Sequence, residues 1–439
     1  MNTDNPRYAY PNRPVYIVDG CRTPFLKSSG QPGPFTSSDL AVSAGRTLLQ
    51  RQPFSADTLD EVILGCVMPG PDEVNIGRVV SLRLGCGDAV PAWTVQRNCA
   101  SGMQSIDSAA FHISCGRSDL VLAGGCEAMS HAPLLLKPAM VTWLAAWQKQ
   151  RSLSAKLKQL GKLRPAMLSP IIGLLRGLKD PTIGLSMGQT AEILAQRFAI
   201  SRSEMDAFAL ASHFKLDRAN KQNFMSEITP LIDNDGQVFA IDTGLRADSE
   251  FAQLAKLKPV FEKHGLVTAG NSAQVTDGAA WLLLASEQSI EKYHLPVLGQ
   301  LVDCQWSGLN PAQMGLGPAY AVPALLQRQQ LKLSDIDYWE INEAFAAQVL
   351  ACLAAWQDDD FCQQALQLDA VLGEVSQSQL NVDGGAIAIG HPVGASGARL
   401  VLHLLNVLKR EQAQTGIASL CIGGGQGGAM LVSRKGVSS

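Results

Sequence analysis

Asn98-Cys99-Ala100-Ser101-Gly102-Met103 stands between two stretches of opposite character. Before it, Pro91-Ala92-Trp93-Thr94-Val95-Gln96 has the composition of a strand. After it, Ile106, Ala109, Ala110 and Ile113 recur near helical spacing. The reading is a cysteine at a strand-to-helix turn. At a helix N-terminus, free amide groups and the macrodipole favour a thiolate. The small residues at 100–102 let backbone approach a substrate carbonyl. A lone cysteine is more often a small buried hydrophobe, so the rest of the chain has to decide.

Outward from this turn the chain alternates strand and helix. On the N-terminal side, Val15–Val18 reads as a buried strand, residues 39–51 as a helix with Asp39 as its cap, Val62–Gly65 as a strand and Asn75–Leu84 as a helix. Asp119–Gly125 then reads as a buried strand ending in glycines. Helices are expected over Thr190–Phe198 and Ser203–Asn223, the second started by Ser203. A second half begins near 297 with the strand Val297–Val302. It continues through a helix at Pro318–Gln329, a strand at Asp337–Ile341, a helix opened by Asn342-Glu343-Ala344-Phe345-Ala346, a helix at Gly397–Arg410 and a strand at Ala418–Ile422. The halves echo each other. Ala100-Ser101-Gly102 opens a helix that is followed by a strand ending in Gly124-Gly125; Ala395-Ser396-Gly397 opens one followed by a strand ending in Gly423-Gly424. This order predicts an α/β fold of two similar halves meeting at one cleft. We divide the chain into residues 1–131, completed by about 276–296; an inserted region, 132–275; and a C-terminal half, 297–439.

With 439 residues, 46% hydrophobic and 17% charged, the chain is long enough for two or three domains with extensive burial. A net charge of −3 argues against nucleic acid as a partner. The ten cysteines form no C-x-x-C and no compact Cys/His cluster, so no metal site is expected and the thiols read as reduced and cytoplasmic. Met1–Pro14 is polar and proline-bearing, unlike a signal peptide. No run of about 18 apolar residues exists to span a bilayer.

One segment departs from this composition. Ala128 to Lys179 contains no acidic residue and nine basic ones, Lys137, Lys149, Arg151, Lys156, Lys158, Lys162, Arg164, Arg176 and Lys179, among Trp143, Trp147 and many leucines. Residues 133–180 therefore read either as a basic amphipathic segment on an anionic membrane surface or as a helical excursion covering an active site or partner.

Cys99, Asn342-Glu343-Ala344-Phe345, Gly390-His391-Pro392 and Cys421 could share the cleft. A histidine beside a cysteine can take its proton, a second cysteine can serve as acid and base, and glycine amides can bind an oxyanion. Two thiols and an imidazole suit a reaction in which one sulfur attacks a carbonyl. The other then moves a proton at the carbon whose C–C bond breaks or forms.

At these residues the chain resembles the thiolase family (acyl-CoA C-acetyltransferases). The matching motifs are Asn98–Met103, Met187-Gly188-Gln189-Thr190-Ala191-Glu192, Asn342–Ala346, Gly390-His391-Pro392-Val393-Gly394-Ala395-Ser396-Gly397, and Cys421-Ile422-Gly423-Gly424-Gly425-Gln426-Gly427. The likeness runs from about residue 14 to 434. It implies the thiolase fold, two βαβαβαββ halves in α-β-α-β-α layers with an inserted loop domain. It also implies that Cys99 is acylated, that His391 activates it, and that Cys421 is acid and base at the acetyl-CoA α-carbon. Asn342, through a water, would form one oxyanion hole with His391, and the amides of Cys99 and Gly423 the other. Coenzyme A, a substrate and not a bound cofactor, maps onto Arg246, Phe261, Ala269, Met187 and Phe345; a serine that many members place at the pantetheine corresponds to Ala273. The insertion at 133–180 is similar to that of trifunctional-complex thiolases, which often carry His where this chain has Asn342. The resemblance implies thiolysis of 3-ketoacyl-CoA in β-oxidation, a homodimer or tetramer, and docking to a hydratase/dehydrogenase subunit. The alternatives are a biosynthetic acetoacetyl-CoA-forming enzyme, a ketosynthase-like condensing enzyme, and a non-catalytic acyl-CoA-binding protein.

Overall fold

The computed structural model describes Tyr10 and residues 13–435; most of Met1–Pro14 lies outside the described residues. Strands β1 (Val15–Arg22), β2 (Glu61–Gly65), β3 (Ala92–Val95), β4 (Leu120–Ala128), β5 (Thr276–Ala285), β6 (Gly299–Gly308), β7 (Tyr338–Ile341), β8 (Thr415–Ile422) and β9 (Gln426–Ser433) hydrogen-bond in the order β7-β8-β9-β6-β1-β5-β4-β2-β3. The short strand Leu26–Lys27 adds to β5. The pairings repeat. β1 runs antiparallel to β5, β5 antiparallel to β4, and β4 parallel to β2; likewise β6 to β9, β9 to β8, and β8 to β7. The two sets meet where Val15–Ile17 pairs with Gly299–Leu301. The echo read from two glycine-ended strands is thus carried by the whole topology.

Strand alternation sorts side chains into three cores. Val62 and Leu64 of β2 face helices α1 (Ser37–Gln50) and α2 (Ile76–Arg83), while Ile63 faces the opposite way. Ala418, Leu420 and Ile422 of β8 join Ile63 in the central core, and Ile417 and Cys421 point to the third. The central core encloses α3 (Ser101–Ser114). β4 is buried at every residue, as a strand covered on both faces must be.

Between β4 and β5 no strand among the described residues joins the main sheet; Ile228 makes only an isolated bridge to Arg22. This region holds α4 (Pro138–Gln148), α5 (Leu153–Leu160), α6 (Met187–Arg197), α7 (Arg202–Lys221) and short helical pieces at Pro165–Leu168, Gly173–Gly177 and Phe251–Ala255. It does not form one long amphipathic helix. Trp143 is buried, donates from Nε1 to the Gln159 carbonyl at 3.0 Å and stacks on Trp147 with centroids 5.3 Å apart. The aromatic pair is therefore the small core of this excursion. The C-terminal half adds α8 (Gly317–Gln329), α9 (Ala346–Gln357) and α10 (Val393–Arg410).

Helix starts differ from expectation by a few residues. Thr36 caps α1 and Asp39 is its capping-box partner; Ser201, not Ser203, caps α7, with Glu204 as partner. α10 begins at Val393, four residues before Gly397, and Asn342 to Phe345 form the approach to α9, not its first turn.

The first turns of α3 and α10 pack directly on one another. A Cβ on Gly102 would lie 2.8 Å from the Gly394 carbonyl oxygen, one on Gly397 would lie 2.6 Å from the Met103 amide nitrogen, and one on Gly125 would overlap Gly394. Cys99 sits two residues before α3 and His391 two residues before α10, so this contact sets their approach. We predict that Gly125→Val lowers stability by about 3 kcal/mol or more, because backbone opposes it. Gly308→Ala, with open space around it, should shift stability by less than about 1 kcal/mol. Thermal unfolding of both variants checks this.

Candidate active site

Cys99 follows Asn98, whose φ of +45° places it in the left-handed region, where asparagine is better tolerated than most side chains. The Asn98 side-chain amide donates to the Gly423 carbonyl at 2.8 Å, binding the Cys99 turn to the turn between β8 and β9. Ser101 reinforces it: Oγ donates to the Asn98 carbonyl at 2.7 Å and accepts the Arg97 amide at 2.9 Å. The strand-to-helix turn read from sequence is present, with Cys99 half-buried.

The thiolate expected from that position is not the resting state. Burial pushes the Cys99 thiol up to about 11, and the amides of Gly423 and of Cys99 itself pull only partly against it. Those same amides are the ones assigned to an oxyanion hole. Cys421, on the last turn of β8, is fully buried; burial first and the neighbouring Cys99 second push its thiol well above the usual range. The two sulfurs therefore act on each other electrostatically, although 322 residues of chain separate them.

His391 follows Gly390, whose φ of +112° is closed to other side chains and whose missing Cβ leaves room for Thr276. The His391 amide donates to the Gln274 carbonyl at 3.2 Å, and Nδ1 lies 2.6 Å from Ser396 Oγ. Burial, then the charge of Arg399, lowers the imidazole to about 4. Nε2 lies 3.4 Å from Nδ2 of buried Asn342. The Asn342 amide donates to Ser419 of β8 at 2.9 Å, and its Oδ1 has no hydrogen-bond partner among the described residues. Asn342 thus links His391 to the strand that carries Cys421. The adjacent Glu343 accepts from Ser212, Asn381 and the Ile387 amide, fixing the approach to His391 from three sides.

Of the residues assigned to coenzyme A, Met187, Phe345 and Phe261 gather at this edge. Phe345 and Phe261 form an edge-to-face pair with centroids 5.9 Å apart, Gly188 packs against the Phe261 ring, and a Cβ on Gly423 would lie 3.3 Å from Met187 Sδ. Ala269 is exposed on a turn whose Ser272 bridges to Phe345. Arg246 is half-buried on the loop whose Gly244 carbonyl accepts from Gln274. The intermediate exposure of Ala273, at the serine position, leaves it able to present only a methyl group. Among the described residues no group of three His, Cys, Asp or Glu could hold a metal.

Sequence reasoning gave no role to Asn98 or to Glu127. Glu127 is buried on β4 and accepts the amides of Val67, Met68 and, across the halves, Gly394. Burial pushes its carboxyl up to about 7. A charged residue inside an otherwise apolar strand was the available signal.

Residues 15–288 match the family described as thiolase, N-terminal domain, and residues 295–434 match thiolase, C-terminal domain. A 3-ketoacyl-CoA thiolase of Yersinia pestis (strain Pestoides F) is 37% identical over 422 residues, covering 95% of this chain and 96% of the relative. Human mitochondrial 3-ketoacyl-CoA thiolase, in a crystal structure with CoA, superposes with a TM-score of 0.81 at 35% identity, covering 96% of this chain and 98% of the other. The Bacillus anthracis acetyl-CoA acetyltransferase gives 0.82 at 34% identity with the same coverage.

With Cys99 near 11 and His391 near 4, both are uncharged at every pH between. We predict that the ultraviolet absorbance difference between this protein and Cys99→Ser shows no thiolate at pH 7 and gains one only on approaching pH 11. A full thiolate signal at pH 7 would contradict this.

Proposed function

The chain belongs to the thiolase family, and we propose that it cleaves 3-ketoacyl-CoA with coenzyme A to release acetyl-CoA and a shortened acyl-CoA. What supports this reading is that Cys99 acts electrostatically on Cys421, that the amides of Gly423 and Cys99 act on the Cys99 sulfur, and that Asn342 ties His391 to the strand carrying Cys421. His391 takes the proton as Cys99 Sγ adds to the 3-keto carbon. The amides of Cys99 and Gly423, or the Asn342–His391 pair, receive the negative charge that develops on oxygen. As the C2–C3 bond breaks, the electron pair goes to C2, and the Cys421 thiol delivers a proton there. Acetyl-CoA leaves, and the acyl group remains on Cys99 as a thioester. Cys421, now the base, takes the proton of a second coenzyme A, whose sulfur accepts the acyl group; the freed Cys99 sulfur takes back the proton held by His391. Because both thiols and the imidazole rest neutral, His391 can take the first proton and Cys421 can supply one, becoming the thiolate base of the second half-reaction.

Coenzyme A is the substrate on this reading, with Met187, Phe261 and Phe345 along its pantetheine and Arg246 and Ala269 nearer the entrance. Relatives of both names, 3-ketoacyl-CoA thiolase and acetyl-CoA acetyltransferase, are almost equally similar. The long insertion favours the first. Cys421 weighs against a decarboxylating condensing enzyme, and the presence of Cys99, His391 and Cys421 together weighs against a non-catalytic binder.

We further propose a cytoplasmic homodimer or tetramer, docked to a hydratase/dehydrogenase subunit, that touches membrane through residues 133–180. Leu134, Leu153, Leu157, Leu168 and Leu175 are all more than half exposed. They lie within Ala128–Lys179, which holds nine basic residues and no acidic one. Apolar anchors with basic neighbours match an anionic bilayer surface. No helix among the described residues is long and apolar enough to cross one.

Two experiments test these readings. A thiolysis assay over 3-ketoacyl-CoA lengths from four carbons upward should show activity that Cys99→Ala reduces by at least about 10³-fold; full activity in that variant would end the proposal. Co-sedimentation should capture the protein on vesicles containing anionic lipid, with loss on raising salt and in Lys158→Glu/Lys162→Glu/Arg164→Glu. Equal binding by the triple variant would remove the membrane contact.

A further inference from the structure

We infer that Ser396 is a positioning residue that holds His391 as the tautomer with hydrogen on Nδ1, so that Nε2 is the base. Ser396 lies in the first turn of α10, four residues after Pro392, and is buried. Its Oγ is 3.1 Å from the Pro392 carbonyl and 2.6 Å from His391 Nδ1. The hydroxyl donates to the Pro392 carbonyl, which also accepts the Ala395 and Ser396 amides, as a serine four residues into a helix commonly bonds back. The oxygen then keeps lone pairs for His391, and Nδ1 must donate. The other ring nitrogen agrees. Nε2 faces the Asn342 NH2, which has only hydrogens to offer, so Nε2 accepts. With the Asn342 amide oriented as it is, two neighbours on different elements agree on the same proton placement.

The choice of a hydroxyl has a chemical consequence. A carboxylate at Nδ1 would also fix the tautomer, but it would stabilise the imidazolium and let the proton rest on histidine. Serine fixes the ring without adding charge. Arg399, one turn further along α10 and paired through Nη1 with Glu340 at 2.6 Å, adds positive charge on the same side. The ring is therefore oriented as a base yet disinclined to keep a proton, which suits a group that must pass it on in the next step.

This inference rests on the reading of His391 as the base for Cys99, and its test is independent of turnover. In the full-length protein with ¹⁵N-labelled histidine, the His391 signal, assigned by its loss in His391→Asn, should show a protonated Nδ1 and an unprotonated Nε2 at neutral pH. The reverse pattern would overturn the inference even if thiolysis is confirmed. Loss of thiolysis activity in the assay would overturn the function and leave the tautomer result standing. Kinetically, Ser396→Ala should lower kcat about tenfold or more with KM changed less than about twofold, and Ser396→Thr, which keeps the hydroxyl, should recover most of it. An unchanged kcat in Ser396→Ala, or equal defects in both variants, would assign Ser396 to packing and overturn the inference.

Discussion

The packing of the first turns of α3 and α10 is the constraint on which the site depends. Two helix N-termini can approach this closely only where Gly102, Gly125, Gly394 and Gly397 present no side chain. Each helix has a candidate catalytic residue two positions before its start, Cys99 on one and His391 on the other. Bringing the helices together therefore brings the chemistry together. The strands following them repeat the arrangement, and β8 delivers Cys421 and the Gly423 amide to the same place.

Charge buried behind the site ties the inserted region to this centre. Arg22 of β1 pairs with Asp242 at 2.7 Å and Glu227 at 3.3 Å, and Glu227 also meets His403 of α10 at 2.9 Å. Asp383 completes the network with His403 and Arg410. The carboxylates raise His403 to about 10 against the cost of burial, so this histidine is charged at neutral pH while His391, twelve residues earlier on the same segment, is not. The stabilisation that charged His403 contributes is fully present below the ordinary histidine range and fades as pH rises through about 10. Breaking such a network by removing one partner is costly, because the remaining charges stay buried. One region thus supplies a rigid backing of opposite charges, and the neighbouring region supplies neutral groups free to exchange protons.

Much of this was legible in the sequence because the informative residues are local. The Cys99 turn, the glycine approach to His391 and the glycines after Cys421 each show their character within a few neighbours, and the repeated order of elements showed two similar halves. What escaped was tertiary. A helix N-terminus does favour a thiolate, but the desolvation that reverses the outcome comes from tertiary burial of Cys99. Trp143 read only as one aromatic of a basic segment with two possible roles, because its partner, the Gln159 carbonyl, lies sixteen residues further on. Ser396 was visible only as part of a motif; its two oxygen contacts exist once Pro392 starts the helix. Caps shifted by a few residues because Ser203 and Asp39 are as suitable by type as Ser201 and Thr36, and only backbone geometry separates them.

The central claim is that Cys99 carries the acyl group between two substrates. Mass spectrometry of protein mixed with a 3-ketoacyl-CoA and quenched in acid addresses it directly. The account predicts an acyl adduct on the Cys99 peptide that disappears when free coenzyme A is added before the quench. Turnover with no adduct there, or with the acyl group on Cys421 or any other residue, would contradict it.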